Sequence, residues 1–302
     1  MAKRNILLFL AAGLMTGIAP AHADHVTTVV GLVNLTNYQA ALLVMTDSPP
    51  NASFSMDTHK WVTDGEVLDD MQIENNHTHV EIAQIDFTNG VVRAKENGVS
   101  VLYVPPQTNS PLAFLGTGFR LDNAAFDDAL DFYAGTTGRT VLVHPDVNRG
   151  PLSISADVHN KLEVAGSIEK KMQQQGVVMM ADGEKFEWVV PARLAASLSP
   201  VTEPPVKGSS STNVIDALPT GSINFINVPL PQALEVYQAL TASKWVQDKP
   251  LTVPVAITFH NQTPLTKAEV LHVFRVLLAW HGLAIVNLDD QSFKLVPMAT
   301  GK

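Results

Sequence analysis

The sequence predicts a multi-domain protein: a small all-β domain followed by two tandem α+β domains, each a βαββα unit closed by a hairpin. The first of two observations behind this is an internal repeat. Phe119-Arg-Leu-Asp-Asn-Ala-Ala-Phe126-Asp-Asp-Ala-Leu130-Asp-Phe-Tyr133 closes at Trp188-Val-Val-Pro191, and Ile223-Asn-Phe-Ile-Asn-Val-Pro-Leu230-Pro-Gln-Ala-Leu234-Glu-Val-Tyr237 closes at Lys294-Leu-Val-Pro297. A repeat of this length reads as a duplicated domain. The second is a pair of Asn-Gly steps, at Asn89-Gly90 and Asn97-Gly98, each between strand-forming residues. The expected units are a signal segment (1–23), a small β domain (25–106), a first α+β repeat (118–192), a flexible linker (193–221) and a second repeat (222–298).

Residues 1–23 read as an export signal. Lys3 and Arg4 precede an apolar run from Ile6 to Leu14, and Ala21-His22-Ala23 offers a small-x-small cleavage site before Asp24. No cysteine is present, so neither a lipidated cysteine nor a disulfide is expected. An exported chain without disulfides fits a bacterial envelope, and periplasmic residence is the expectation. The sequons at Asn34, Asn51, Asn76 and Asn261 are then chance. With 20 basic and 29 acidic residues, the net charge of −9 excludes charge-driven nucleic-acid binding. Apolar residues make up 46% and charged ones 16%, enough for ordinary cores in more than one domain. No membrane span is expected after the signal, because the late apolar run Val273–Trp280 is short and interrupted by Arg275.

In the front domain Val26–Val33, Ala40–Met45, Ile82–Phe87, Val91–Ala94 and Val99–Val104 read as strands, the last three joined as a meander by the two Asn-Gly turns. A small barrel or sandwich follows. In the first repeat Phe126, Ala129, Leu130 and Tyr133 fall on one helical face, as Leu230, Ala233, Leu234 and Tyr237 do in the second. Strands are expected at Thr140–His144, Leu152–Ser155 and Val255–Phe259. The second helix of the later copy opens with a capping box, Thr266-Lys-Ala-Glu269, and buries Val270, Phe274, Leu277 and Leu278. Its earlier counterpart uses Val164, Ile168 and Met172, and Gly176 and Gly282 end the two helices at matching points. Between the repeats, proline, serine and glycine are dense enough to predict an extended connection that leaves the last domain tethered rather than docked.

Candidate chemistry is sparse. His77 and His79 alternate on a strand near Glu74, yet no third metal ligand is identifiable. Asp146-Val-Asn148-Arg-Gly150 opens like a calcium loop but lacks the distal glutamate and reads as a turn. Gly116-Thr-Gly118 lacks the third glycine of a dinucleotide loop, and Ser209–Ser211 sit in linker without a nucleophile elbow. His272 and His281 flank the last helix as structural or solvated histidines. Asp122, Asp127, Asp128 and Asp131 read as a solvated face opposite Phe126 and Leu130. No catalytic, cofactor or metal residue is assigned.

Three pieces of the repeats carry a likeness: the opening apolar-x-apolar strands ending at Asn123 and Asn227 before an Ala-Leu helix, the segment His144-Pro-Asp-Val-Asn-Arg-Gly150-Pro-Leu-Ser-Ile, and the closing Gly282-Leu-Ala-Ile-Val with Phe293-Lys-Leu-Val-Pro. Together they resemble the amino-terminal ring domains of secretins, the outer-membrane channels of type II secretion and type IV pilus systems. The second copy departs at Gln247–Pro254, where no glycine occurs. Gly31-Leu-Val, Ala40-Ala-Leu-Leu, Gly65-Glu-Val and Val80–Ile85 make the front domain similar to the periplasmic homology region of the secretins' inner-membrane partner in type II systems. The resemblance implies a non-enzymatic exported scaffold or adaptor that contacts a secretin or its own copies, as a homo-oligomer in the latter case. The alternatives are a soluble envelope receptor-like module for a small molecule or exported substrate, or an envelope enzyme. Mass spectrometry of the exported protein is expected to find Asp24 at the amino terminus; an intact Met1 on envelope-localised protein would contradict the signal.

Overall fold

The computed structural model describes residues 25–47, 56–73, 76–106, 112, 116–198, 217–247, 255–289 and 291–298. The cleavage pair Ala23 and Asp24 lies outside them, as do residues 199–216 of the expected linker and residues 248–254. The architecture is mixed α and β, built from several small sheets.

The front domain is the expected sandwich. One sheet holds β1 (His25–Leu35), β2 (Tyr38–Asp47) and β3 (Met56–Val62); the other holds β4 (Val67–Ile73), β5 (Asn76–Asp86), β6 (Val91–Glu96) and β7 (Val99–Tyr103). Between them pack Val29, Leu32 and Leu43 from one side and Leu68, Ile82 and Val92 from the other. Asn97 and Gly98 both take positive φ, 49° and 83°, as a two-residue hairpin requires. The Asn89-Gly90 turn is longer. It spans four residues, with only Gly90 at positive φ, and the Asp86 carboxylate accepts the backbone N–H groups of Thr88 and Asn89.

The first repeat comprises β8 (Gly118–Ala124), α1 (Phe126–Thr137), β9 (Thr140–Val143), β10 (Leu152–Ala156), α2 (Lys161–Gln174), β11 (Val177–Asp182) and β12 (Phe186–Pro191). A short helix, α3 (Ala192–Ala195), then leads into the linker, whose far end, β13 (Ala217–Leu218), forms a strand. The second repeat comprises β14 (Asn224–Pro229), α4 (Leu230–Thr241), β15 (Lys244–Trp245), β16 (Ala256–His260), β17 (Leu265–Thr266), α5 (Lys267–Trp280), β18 (Leu283–Asp289) and β19 (Ser292–Pro297).

The two copies share their strand pairing. The opening strand pairs antiparallel with the third strand, β8 with β10 and β14 with β16. A mixed sheet closes each copy, with β9 parallel to β12 and β15 parallel to β19. Small details recur as well. Asn123 and Asn227 sit at φ 53° and 52° in a bulge, and each donates its N–H to a hydroxyl across the sheet, Ser153 or Thr258, at 3.0 Å. Gly176 and Gly282, at φ 76° and 71°, receive the N–H of the residue after the closing strand at 2.8 Å. Thr266 and Glu269 form the capping box; in the first copy Asn160 Oδ1 accepts the Glu163 N–H, while the Glu163 carboxylate accepts the N–H of His159 and the Asn160 side-chain amide.

Two findings depart from a chain of separate modules. First, β1 pairs antiparallel with β8, so the front domain and first repeat share one five-stranded sheet, β10-β8-β1-β2-β3. Val33, Leu35, Ala40 and Leu42 therefore belong to the core of the first repeat, where Trp61 and Phe119 flank Phe132 at ring separations of 4.3 and 5.3 Å. Second, the last domain is docked, not tethered. Leu142, Phe186, Trp188 and Val190 present an apolar face of the β9-β12-β11 sheet to the second copy, and Trp188 meets Trp280 edge-on at 5.5 Å. The physical reason is the sheet itself: α1 and α2 cover one face through Val141 and Val189, and the other face is too apolar to be left in water.

Gly31 marks the first junction. A Cβ there would stand 2.9 Å from Leu121 Cδ2 and from Leu42 Cβ. Gly31→Ala is expected to destabilise the protein by about 1–3 kcal/mol, the cost of overpacking a filled core, measurable by urea unfolding. No loss of stability would mean that β1 and β8 separate readily. Leu234 is fully buried, so Leu234→Ala is expected to cost about 2–5 kcal/mol by the same measurement.

Candidate functional site

The three domains converge on the first turns of α1. The chain enters that helix without a side-chain cap at Ala125, and Asp127 and Asp128 occupy the first turn, where the helix dipole favours negative charge. Each of three successive carboxylates on this face meets a partner from a different part of the fold. Asp127 accepts from the Arg149 guanidinium at 3.1 Å, within the first repeat. Asp128 lies 3.5 Å from His59 Nε2 on β3 of the front domain. Asp131 stands 2.6 Å from His260 Nε2 on β16 of the second repeat.

Above these pairs opens a cleft of ≈ 770 Å³. The three aspartates and Arg149 line one side, Thr58 and His59 another, and Asn224, Ile226, Thr258 and His260 the third. Electrostatics in it are coupled. Burial, followed by the neighbouring charges of Asp131 and Asp127, pushes the Asp128 carboxyl up to about 7. Its Oδ2 is buried without a hydrogen bond. The hydrogen bond to Asp131 raises the His260 imidazole above its usual range, against the opposing effect of burial.

A second set of polar contacts fastens the last domain further along. Asp182, 6% exposed, accepts from Trp188 Nε1 at 2.8 Å and lies 2.6 Å from His272 Nε2. Gln262 Oε1 accepts the N–H of Val141 at 3.1 Å, and the hydroxyls of Thr140 and Thr263 meet at 2.5 Å. His144 packs on Trp280 at 5.2 Å, and burial lowers both His144 and His281 below the usual imidazole range.

The residues singled out in the sequence divide accordingly. Asp127, Asp128 and Asp131 are brought together at a seam between domains; Asp127 and Asp131 keep the exposure of a solvated face, and only Asp128 is largely buried. Their signal was weak because surface and interface carboxylates look alike in one sequence. His272 is likewise an interface residue. Asp146 forms an ion pair with Arg193 at 2.8 Å, and that hydrogen bond holds its carboxyl below the usual range; the segment is a turn, as read. The carbonyl of Gly116 accepts the Asn34 side chain at 2.6 Å. His79 is exposed on β5, while Glu74, the His77 side chain and Ser209–Ser211 lie outside the described residues. No group of three metal-ligating side chains occurs among the described residues. Sequence reasoning missed His59, His260, Trp188 and Trp280. One signal was present: Phe186-Glu-Trp-Val-Val-Pro191 lacks polar alternation, as a strand covered on both faces does.

The chain matches no family model, no curated protein and no solved structure. Among the described residues no helix is long and apolar enough to cross a membrane.

The seam makes stability depend on pH. Asp128 is raised above its unfolded value, so its ionisation costs stability; that cost is absent below pH ~4 and complete above about 7. His260 is also raised, so its contribution is full below its unfolded value and lost as pH rises through the folded one. Both loosen the seam toward alkaline pH, whereas the lowered His144 and His281 act oppositely, losing stability as pH falls. Asp128→Asn isolates one group. It is expected to stabilise the protein at pH 8 by about 1–3 kcal/mol and to leave it nearly unchanged at pH 4, as followed by thermal melts. Equal effects at both pH values would contradict a raised carboxyl.

Proposed function

We propose that this protein is a non-enzymatic, exported scaffold or adaptor of a secretin-type secretion or type IV pilus apparatus, acting from the periplasm through contacts of its α+β ring-type domains. The observation that carries this reading is the β1–β8 pairing. The first α+β domain already receives a neighbouring domain by strand addition along its opening strand, the kind of docking in which main-chain hydrogen bonds supply affinity. The motif likeness of the repeats to secretin ring domains, and of the front domain to the region that partners them, supports the same assignment. In the periplasm such a unit would hold an inner-membrane-type domain and ring domains in one rigid piece.

A second reading has its own observation. The cleft beside α1, with the half-buried Asp128 and His260, is large enough for a small molecule, which favours a receptor-like module. One experiment separates the two. The mature protein is mixed with the purified amino-terminal region of the secretin from the same genome and followed by size-exclusion chromatography with light scattering. A stoichiometric complex, or a ring-sized assembly of the protein alone, is expected. A monomer that ignores the secretin, yet is thermally stabilised by a component of a periplasmic metabolite extract, would overturn the scaffold reading.

A further inference from the structure

The duplication makes the two copies a controlled comparison, and they differ at one edge. In the first copy β8 lies between β10 and β1, both of its edges paired. In the second copy β14 pairs with β16 alone, and its other edge has no strand among the described residues. Aligned on Asn123 and Asn227, Phe119 corresponds to Ile223 and Leu121 to Phe225. The residues that cover the first pair are Val33, opposite Phe119, and Gly31, opposite Leu121. The helix face beneath differs in step. Phe132 is buried under Tyr38 and Trp61 of the front domain, and its counterpart Val236 is only partly buried.

Open strand edges are usually guarded by lysine or an inward charge, because an unguarded edge templates pairing with another chain. From Ser222 to Val228 this strand carries no charged residue, and Ile226 is 75% exposed. Only the bulge at Asn227 and Pro229 limit it, and both lie past the segment equivalent to the paired part of β8.

We propose that the free edge of β14, residues 223–226, is the docking site for an extended strand of a partner protein. The strand adds antiparallel, as β1 adds to β8, with an apolar side chain opposite Ile223 and a small one opposite Phe225. This deepens the scaffold reading and rests on it for the partner being a protein, but the surface itself is carried by the duplication. The occupant is a foreign strand and not β1 of a second copy, since β1 is buried on both faces within its own chain.

The test uses the one segment known to fit such an edge. A synthetic peptide of residues 27–37 with a solubilising lysine tag is titrated into the full mature protein, with hydrogen exchange read by mass spectrometry. One-to-one binding is expected, with exchange slowed at Asn224 and Ile226, the residues that alternate away from β16. Ile226→Lys places a charge at an already exposed position, so the fold should persist by circular dichroism while affinity falls at least tenfold. A peptide N-methylated along its backbone should not bind, a control that leaves the protein untouched. Three results would each overturn the proposal: no peptide binding, binding unaffected by Ile226→Lys, or slow exchange at Asn224 and Ile226 in the free monomer, which would mean that the chain's own residues cover the edge (Ile223, bonded to Asn261, is protected in either case). Dimerisation abolished by Ile226→Lys would replace the foreign strand with a second copy. Peptide binding without secretin binding would overturn the proposed function and keep the edge; secretin binding without peptide binding would do the reverse.

Discussion

The fold depends on β1 being buried on both faces. Val29 and Leu32 point into the sandwich core, while Val30, Val33 and Leu35 point into the core of the first α+β domain. One strand therefore serves two hydrophobic cores, and its register with β8 fixes how they are oriented. A slip of one residue would exchange the two side-chain sets and spoil both cores at once. Gly31 holds that register sterically, because only a residue without a Cβ fits between Leu121 and Leu42. The rigid joint between the domains follows from this strand and does not need a linker of defined structure.

The β9-β12-β11 sheet repeats the principle one layer on. Val189 faces the first core and Trp188 the second, so the second copy is held by apolar burial, with Asp182 supplying hydrogen bonds to Trp188 and His272 at the margin. The carboxylates of α1 do something different. Asp128 faces the front domain and Asp131 the second repeat, and rising pH, acting through the raised Asp128 and His260, weakens the joint there.

Duplication explains both the regularities and the exception. The positive-φ asparagines, the hydroxyls they reach and the glycines after the second helices recur because the backbone demands them at equivalent points. Asn261 shows how a copy acquires its own use of a residue: fully buried, it accepts the N–H of Ile223 and donates to the carbonyls of Pro219 and Thr263, closing the entrance to the second domain. At the outer edge of the opening strand the copies part. The first is filled by the front domain; the second, without a charged residue, meets no further strand among the described residues.

Helix periodicity, the capping box at Thr266 and Glu269, the Asn97-Gly98 turn and the repeat itself were legible in the sequence because each is a local demand, met within a few residues. Local demands marked the helices and most strands of the repeats, but not β3 (Met56–Val62), β4 (Val67–Ile73) or the short β15 (Lys244–Trp245). What only the tertiary structure decided is how the domains join, because pairing β1 with β8, or Trp188 with Trp280, brings together residues far apart in the chain whose letters suit any buried strand or helix. Lack of alternation in Phe186–Pro191 marked a strand covered on both faces without saying by what. Asp128 and Asp131 were marked only as part of an acidic cluster: a carboxylate on a helix surface becomes a joint only when folding delivers His59 and His260 to it.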